Sequence, residues 1–272
     1  MRLSEESEPI PKSGESLIRV TAVGLCGSDI HWYEEAGIGD AALSKPLVLG
    51  HEFAGVIIGG ERDGTRVAID PAVPCGKCDR CIEGNPNLCT HLQFAGHNKT
   101  DGALRELMTW PDHLLFQLPD SISDEEGAML ELLGVAIHAL DLSKIRIGMS
   151  VGVYGCGPIG MLIIQLAKLM GASQILATER LDHRIDAARR YGASQVFQVN
   201  GGQEHLDVLA ASRGNGVDVA FEAAGENEAV EVAIETVRPG GRVILIGIPP
   251  DDRTSFQASS ARRKGLTIKL CR

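Results

Sequence analysis

The sequence predicts an α/β protein with two domains, the first built from short β-strands and the second from a doubly wound parallel sheet. The 272 residues suffice for two domains of ordinary size. Before residue 141, short apolar runs alternate with turns that contain glycine and proline, which is typical of a compact, barrel-like β domain. After residue 149, six strand patterns alternate with helix patterns, as in parallel sheets with crossover helices. We expect the boundary near residues 141–149, with domains of residues 1–145 and 146–272.

The composition indicates a globular protein and argues against several classes of partner. Hydrophobic residues make up 44% of the chain and charged residues 23%, and the net charge is -10. The negative charge argues against a nucleic-acid partner. The N-terminal residues are acidic, unlike a signal peptide, and the most apolar helical run, residues 161–167, is too short to cross a bilayer. Seven cysteines without a signal peptide favour metal binding or free thiols, so we expect a cytoplasmic protein with no membrane partner.

Apolar and β-branched residues mark the elements of the first domain. A strand predicted over residues 13–23 leads into a glycine-flanked turn that contains Cys26. A helix is predicted over residues 128–140, after the polar and acidic residues 123–126 that are typical of a helix start. Further short strands are predicted over residues 53–58, 66–69 and 114–119.

A thiol, an imidazole and a carboxylate stand early in the chain, at Cys26, His51 and Glu52. A thiolate, a neutral imidazole and a carboxylate form a ligand set that suits Zn²⁺ with an exchangeable fourth position. Ser28 and His31 follow Cys26, and we interpret them as a path by which a proton leaves the site. These residues together predict a catalytic zinc site.

Four cysteines follow within fifteen residues, in the pattern C-x₂-C-x₂-C-x₇-C. Four thiolates at this spacing suit a closed tetrahedral zinc site. An iron–sulfur cluster also takes four thiolates and is the alternative. The polar surroundings, rich in glycine, proline and asparagine, favour a zinc loop without redox chemistry. The proposed ligands are Cys75, Cys78, Cys81 and Cys89.

The helix predicted over residues 128–140 carries Glu131 within an apolar run. A lone carboxylate in such a run is unfavourable without a partner, and a metal, or water on a metal, would relieve that cost. We therefore expect Glu131 to lie close to a metal.

A glycine-rich loop opens the second domain, between a strand over residues 150–154 and a helix over residues 161–170. Its sequence matches the G-x-G-x-x-G pattern, whose glycines let backbone N–H groups approach a pyrophosphate at a helix N-terminus. Glu179 ends the next strand at the distance expected for an acid that binds the adenosine ribose, which favours NAD. Arg180 follows directly and favours NADP as the alternative. The loop residues in question are Gly155, Cys156, Gly157, Pro158, Ile159 and Gly160.

These motifs together resemble those of the zinc-containing medium-chain alcohol dehydrogenases, and among them the sorbitol (polyol) dehydrogenase branch. The resemblance covers essentially the whole chain and implies a GroES-like catalytic domain followed by a Rossmann domain. The family runs further at its C-terminus, and we expect this chain to lack that return segment. The matching stretches are residues 24–31, Ile38 to Asp40, residues 50–55, the four cysteines, residues 126–128, Glu131, residues 155–160 and residues 240–243.

The resemblance also implies roles for individual residues. Cys26 and His51 are expected to ligate the catalytic zinc, with Glu52 as a ligand or its close partner. The carboxylate of Glu131 is expected near the zinc-bound water, and Ser28 and His31 as the proton relay. The four cysteines are expected to hold a structural zinc. The cofactor and substrate contacts implied are Glu179 and Arg184 at the adenosine ribose, Ile246, Gly247 and Ile248 at the nicotinamide, and Phe94 in the substrate pocket.

The function implied is oxidation of a secondary alcohol of a polyol, such as sorbitol or xylitol, to a ketone with hydride transfer to NAD⁺. Within the superfamily the alternative is an L-threonine or 2,3-butanediol dehydrogenase. From another class, the chain would be a truncated, inactive protein that binds zinc and NAD. A homo-oligomer is expected if the shortened C-terminus permits it.

Overall fold

The computed structural model describes residues 2–39, 41–201, 203–250 and 253–272, so Asp40 of the predicted Ile38 to Asp40 motif lies outside the described residues. The chain forms two compact units, Met1–Glu131 and Leu132–Arg272. The domain boundary that we place after residue 145 stays a prediction. Among the described residues, no helix has both the length and the apolar character needed to cross a lipid bilayer.

The first unit consists mainly of short strands, as its turn-rich sequence predicts. Two short 3₁₀ segments, Pro86–Leu88 and Asp112–Leu114, interrupt it. Its other elements in chain order are β1 (Glu15–Gly24), α1 (Gly27–Glu34), β2 (Gly37–Ile38), β3 (Ala41–Ala42), β4 (Glu52–Ile58), β5 (Arg66–Ile69), β6 (Ala72–Val73), α2 (Asp79–Ile82), β7 (Gln93–Phe94), β8 (Leu107–Pro111), β9 (Leu115–Gln117) and α3 (Asp124–Ala128).

Within the described residues, five strands of the first unit form one antiparallel sheet in the order β8-β1-β4-β5-β9. Its interior is built from buried side chains such as Ile18, Phe53, Val67 and Trp110. Strands β1 and β4 pair so that Gly24, at the end of β1, stands opposite Glu52, at the start of β4. This pairing brings the segments that carry Cys26 and His51 together.

The structure differs from the sequence prediction at two helices of this region. The turn after Cys26 continues as helix α1, because the Asp29 carboxylate accepts the Cys26 N–H at 3.0 Å and so satisfies a donor at the helix start. The helix predicted over residues 128–140 is two helices, α3 and α4 (Leu130–Ser143), with Met129 closing the first. Ser123 and Glu126 form a capping box that starts α3 before the apolar run begins.

The second unit is the parallel sheet that its strand–helix alternation predicts. Its described strands pair in parallel in the order β12-β11-β10-β13-β14-β15, with β10 at the point where the order reverses. Helix α9 is an element that the sequence did not predict. The elements are β10 (Ser150–Tyr154), α5 (Pro158–Leu169), β11 (Gln174–Glu179), α6 (Asp182–Tyr191), β12 (Gln195–Gln198), α7 (Glu204–Ala211), β13 (Val217–Glu222), α8 (Asn227–Thr236), β14 (Val237–Leu245), α9 (Ala258–Lys264) and β15 (Thr267–Leu270).

The central strands β10, β11 and β13 are buried on both faces, which explains why they are mostly apolar. On β13, Val219 and Phe221 pack into one hydrophobic cluster, together with Ile163 of α5. Ala220 between them faces the opposite cluster, which includes Val230 of α8. Because parallel strands end at the same edge, the loops after β10, β11, β13 and β14 lie along one side of the sheet.

Candidate functional site

Cys26, His51 and Glu52 come together in the first unit, as the sequence predicts. One ligand atom from each, a sulfur, a ring nitrogen and a carboxylate oxygen, lies within 4.8 Å of the others. His51 and Glu52 are buried, with 6% and 3% of their surfaces exposed. Thiolate, imidazole and carboxylate are ligands that zinc accepts, and three protein ligands leave a fourth position for a small molecule.

Gly24 makes room for the Glu52 side chain. A Cβ atom built on Gly24 would lie 2.1 Å from Oε2 of Glu52, far closer than two such atoms can approach. The glycine opposite Glu52 in the β1–β4 pair is therefore required by this close approach, and it lets the carboxylate lie beside Cys26.

Asp29 organises the cluster, and we did not single it out from the sequence. It is 2% exposed, and its Oδ2 accepts the Cys26 N–H at 3.0 Å. Its Oδ1 accepts the Gly50 N–H at 3.0 Å and lies 3.6 Å from Nδ1 of His51. A carboxylate behind a histidine orients the ring toward a metal and makes it a better ligand. The available signal was an acid three residues after Cys26, where helix α1 begins.

The electrostatics of the cluster favour a bound cation. Burial lowers the pKa of His51, but Asp29 and Cys26 outweigh it and raise that pKa to about 10. Burial raises the pKa of Glu52, with His51 opposing. The histidine therefore holds a proton strongly because several anionic groups surround it, and a metal ion would satisfy the same groups.

Glu131 is not among the three residues whose ligand atoms lie within 4.8 Å of one another, but its carboxyl interacts electrostatically with two of them, His51 and Glu52. Burial raises the pKa of Glu131 to about 7, the charge of His51 opposes this, and Glu52 adds to it. Glu131 lies at the end of the first unit. A positive charge nearby would stabilise the ionised form of its carboxyl group.

Ser28 and His31 lie one turn apart on α1. The Nδ1 atom of His31 is 3.1 Å from Oε1 of Glu35, which is the next residue on that helix face and is 44% exposed. Glu35 is a further residue of this path that we did not predict, although an acid four residues after His31 is a recognisable helix pair. Phe94 of β7 lies against the cluster, with its ring centroid 5.3 Å from that of His51.

The four-cysteine segment forms a second group, in which every sulfur lies within 4.8 Å of the others. The sulfur of Cys78 is 3.5 Å from that of Cys81 and 3.8 Å from that of Cys89. Zn–S bonds of about 2.3 Å in a tetrahedron place sulfur atoms about 3.8 Å apart. The spacing fits one tetrahedral ion. In an iron–sulfur cluster the thiolates are spread over two or more irons.

Backbone N–H groups surround these sulfurs. The N–H groups of Cys75 and His91 donate to Sγ of Cys89 at 3.3 and 3.4 Å. Backbone N–H groups of Cys81 and Thr90 lower the pKa of Cys78 to about 6, whereas burial and the neighbouring thiols raise that of Cys81 to about 12. The thiolate is thus favoured at Cys78 and disfavoured at Cys81, and a bound cation would favour the ionised form of all four sulfurs.

The glycine loop of the second unit has the shape that a dinucleotide needs. Gly155 has a φ of +95°, which favours glycine. A Cβ on Gly160 would lie 2.0 Å from the carbonyl oxygen of Gly155, so this position also requires glycine. A Cβ on Gly157 would have only Nη1 of Arg184 nearby, at 3.9 Å. Pro158 and Ile159 begin α5, so its free N–H groups point to this open side. The three glycines therefore fit the turn, the close approach and the helix packing of a pyrophosphate site.

Glu179 lies beside this loop, at the end of β11. It is buried, and its Oε2 accepts the N–H of Cys156 at 2.9 Å. Further along the same edge, the N–H groups of Ile246 and Gly247 donate to the carbonyl of Glu222, at 2.9 and 3.3 Å. Ile248, which follows them, is 46% exposed. The structure thus brings the predicted cofactor residues of the second unit to one edge of its sheet.

Comparisons with known proteins agree with this architecture. The family described as "Alcohol dehydrogenase GroES-like domain" matches residues 12–120, and that described as "Zinc-binding dehydrogenase" matches residues 158–272. A sorbitol dehydrogenase of Bacillus subtilis is 38% identical over 252 residues, which cover 90% of this chain and 71% of the relative.

Two solved structures are similar over nearly the whole chain. A zinc-binding dehydrogenase of Sinorhizobium meliloti 1021 bound to NADP has a TM-score of 0.87 and 30% identity, covering 97% of this chain and 78% of that one. A short chain alcohol dehydrogenase of Escherichia coli CFT073 complexed with NADH has a TM-score of 0.86 and 30% identity, covering 98% and 78%.

Proposed function

We propose a function on the premise that this chain belongs to the zinc-containing medium-chain alcohol dehydrogenase family, in its sorbitol dehydrogenase branch. The chain is an oxidoreductase that acts on CH–OH groups, and it oxidises a secondary alcohol of a polyol, such as sorbitol or xylitol, to a ketone with NAD⁺. The observation that carries the proposal is the buried group of Cys26, His51 and Glu52, whose ligand atoms lie within 4.8 Å of one another.

In this proposal two zinc ions have different residues and different roles. Cys26, His51 and Glu52 hold the catalytic ion, with the Glu131 carboxyl beside them. When bound, zinc supplies a Lewis acid that makes the alcohol more acidic, and NAD⁺ supplies the hydride acceptor. The structural ion is held by Cys75, Cys78, Cys81 and Cys89, and the sulfur spacing supports this assignment.

The residues around the metal ligands orient those ligands, line the substrate site and carry the released proton away. Asp29 keeps the His51 ring oriented and anchors the Cys26 backbone. Phe94 covers one side of His51 and contributes an apolar wall for the substrate. The proton released by the alcohol passes by Ser28 to His31, whose Nδ1 contacts Glu35 at the surface.

The second unit binds the dinucleotide. The N–H groups at the start of α5 bind the pyrophosphate, and Gly157 lets it approach closely. Glu179 and Arg184 bind the adenosine ribose. Ile246, Gly247 and Ile248 contact the nicotinamide. Their position at the carboxyl edge of one parallel sheet supports these roles.

The cellular compartment and the oligomeric state complete the proposal. Seven cysteines are free, and four of them form the metal-ligand group, which suits a reducing compartment such as the cytoplasm. We also propose that the protein acts as a homo-oligomer on a small-molecule alcohol.

The test measures zinc content and substrate preference together. We expect two zinc ions per chain, and faster NAD⁺ reduction with sorbitol or xylitol than with L-threonine or 2,3-butanediol. A Cys26→Ser variant should keep one zinc ion and lose turnover, since only the catalytic site is changed. Preference for threonine or butanediol would move the chain to the alternative substrate class. Tight NADH binding with two zinc ions and no turnover of any alcohol would contradict the enzymatic proposal.

A further inference from the structure

The two residues that decide between NAD and NADP stand side by side, and the acidic one is already engaged. Oε1 of Glu179 accepts the N–H groups of Arg180 and Leu181 at 2.7 and 3.1 Å, and Oε2 accepts that of Cys156 at 2.9 Å. A carboxylate offers about four acceptor sites, so three are used by the backbone. Glu179 therefore keeps about one acceptor site for a ribose hydroxyl, and its neighbours also affect the choice between that hydroxyl and a 2′-phosphate.

Arg180 is placed to bind the extra phosphate, because an arginine close to the strand-end acid accommodates the 2′-phosphate of NADP. In this structure its guanidinium is paired with a carboxylate from a distant loop. Nη2 of Arg180 lies 2.9 Å from Oε1 of Glu226, and the two side chains are 64% and 43% exposed. The cation is therefore partly neutralised before any dinucleotide binds.

The topology places this ion pair across the cofactor-binding edge. Arg180 follows β11, and Glu226 lies between β13 and α8. Strands β11 and β13 are the two neighbours of β10, which leads into the glycine loop. The pair thus joins the loops on either side of the strand that carries the pyrophosphate site.

We propose that Glu226 is a specificity-determining residue that makes the chain prefer NAD over NADP by holding the Arg180 guanidinium and adding negative charge beside it. The inference rests on the proposed dinucleotide-binding function. A 2′-phosphate would have to displace the Glu226 carboxylate from Arg180 and would be repelled by it. A 2′-hydroxyl meets neither cost.

The test compares the dissociation constants of NADH and NADPH, measured by their fluorescence on the purified holoenzyme. In Glu226→Gln, we expect affinity for NADPH relative to NADH to rise about three- to tenfold, the effect of removing one exposed charge near a phosphate. Glu228→Gln is the matched control, since it removes the same charge two residues away on an exposed side chain. We expect its ratio to stay within about twofold of the wild type.

A second variant separates the ion pair from general charge effects. In the double variant Glu226→Gln/Arg180→Gln, most of the gain in NADPH affinity should disappear, because the freed guanidinium is then absent and only the loss of repulsion remains. An unchanged ratio in Glu226→Gln, an equal shift in Glu228→Gln, or an undiminished gain in the absence of Arg180 would each overturn the inference. Failure of the wild type to bind either dinucleotide would instead overturn the proposed function, on which the inference depends.

Discussion

Both units bury two carboxylates at their candidate sites, Asp29 and Glu52 in the first and Glu179 and Glu222 in the second. In the first unit they lie beside a histidine and a thiol, and Asp29 and Cys26 raise the pKa of His51 to about 10. In the second unit backbone N–H groups satisfy them. Glu222 Oε1, for example, accepts those of Ala224 and Gly225 at 2.7 Å each.

The difference follows the charge of the ligand that each unit is proposed to bind. The first unit gathers more negative charge than its own residues neutralise, which favours a metal cation. In the second unit, backbone N–H groups donate hydrogen bonds to the buried acids. These hydrogen bonds shape the loops of the proposed pyrophosphate site. Buried acids thus hold backbone N–H groups in both units, and in the first unit Asp29 and Glu52 also surround groups that suit a cation. Three variants test this contrast.

The largest effect is expected for Asp29→Asn, which removes charge from the metal-binding group while keeping its shape. Asp29 touches both the Cys26 backbone and the His51 ring, so two of the three proposed ligands lose their support. We expect zinc affinity at this site to fall about a hundredfold, the upper range for loss of a carboxylate behind a ligand. Competition with a chelator, followed by metal analysis, measures it.

The control for this variant is Asp63→Asn, at a turn acid that accepts the Gly59 N–H at 2.6 Å and touches no proposed ligand. It should keep both zinc ions. If Asp29→Asn retained two zinc ions with wild-type affinity, the acids of the first unit would not act through a cation.

A smaller effect is expected for Gly24→Ala, because it disturbs one proposed ligand. The added Cβ would lie 2.1 Å from Oε2 of Glu52, so the carboxylate must turn away. We expect a loss of about tenfold in zinc affinity at this site, with the four-cysteine zinc unchanged. Gly27→Ala is the matched control, since a Cβ there meets nothing within 4 Å. Equal behaviour of the two variants would show that the position of Glu52 is unimportant for the metal.

The contrast between the units also explains what the sequence could predict. The glycine loop and the four-cysteine group are local patterns, in which the spacing itself places the chemistry on one turn. The alternation of six strands with helices predicts a parallel sheet, and this is confirmed. Cys26 and His51 were linked by residue type rather than spacing, and the β1–β4 pairing is what brings them together.

What the sequence did not reveal depends on contacts between distant segments. The role of Asp29 carries no local signal, because its partners Gly50 and His51 lie some twenty residues away and the glycines around Cys26 indicate a turn where helix α1 forms. The Arg180–Glu226 pair joins residues 46 positions apart, through loops of two strands that are not neighbours. Residue type indicates that such side chains carry charge, but only the fold decides which charges meet.

The smallest effect is expected for Glu222→Gln, which tests whether a buried acid held by backbone N–H groups still disfavours ionisation. Burial raises the pKa of Glu222, and the N–H groups of Gly225 and Ala224 oppose this without cancelling it. The folded state therefore prefers the protonated carboxyl. This contribution to the free energy of unfolding is present below the ordinary pKa of 4.5 and is lost as pH rises through the raised value.

Glutamine is neutral at every pH and keeps an oxygen that can accept both N–H groups. The stability of Glu222→Gln relative to the wild type should therefore increase as pH rises from about 4.5 to 8, measured by urea unfolding at each pH.

Asp218→Asn, at the other end of β13, is the control of opposite sign. Burial raises the pKa of Asp218, but Ser150 and Arg238 outweigh it and lower that pKa below 3.8. Its destabilisation should stay constant over this range, because its contribution is lost only at lower pH. A flat profile for Glu222→Gln would mean that the pKa of Glu222 is not raised in the folded state, and the expected cost of ionising this buried acid would be absent.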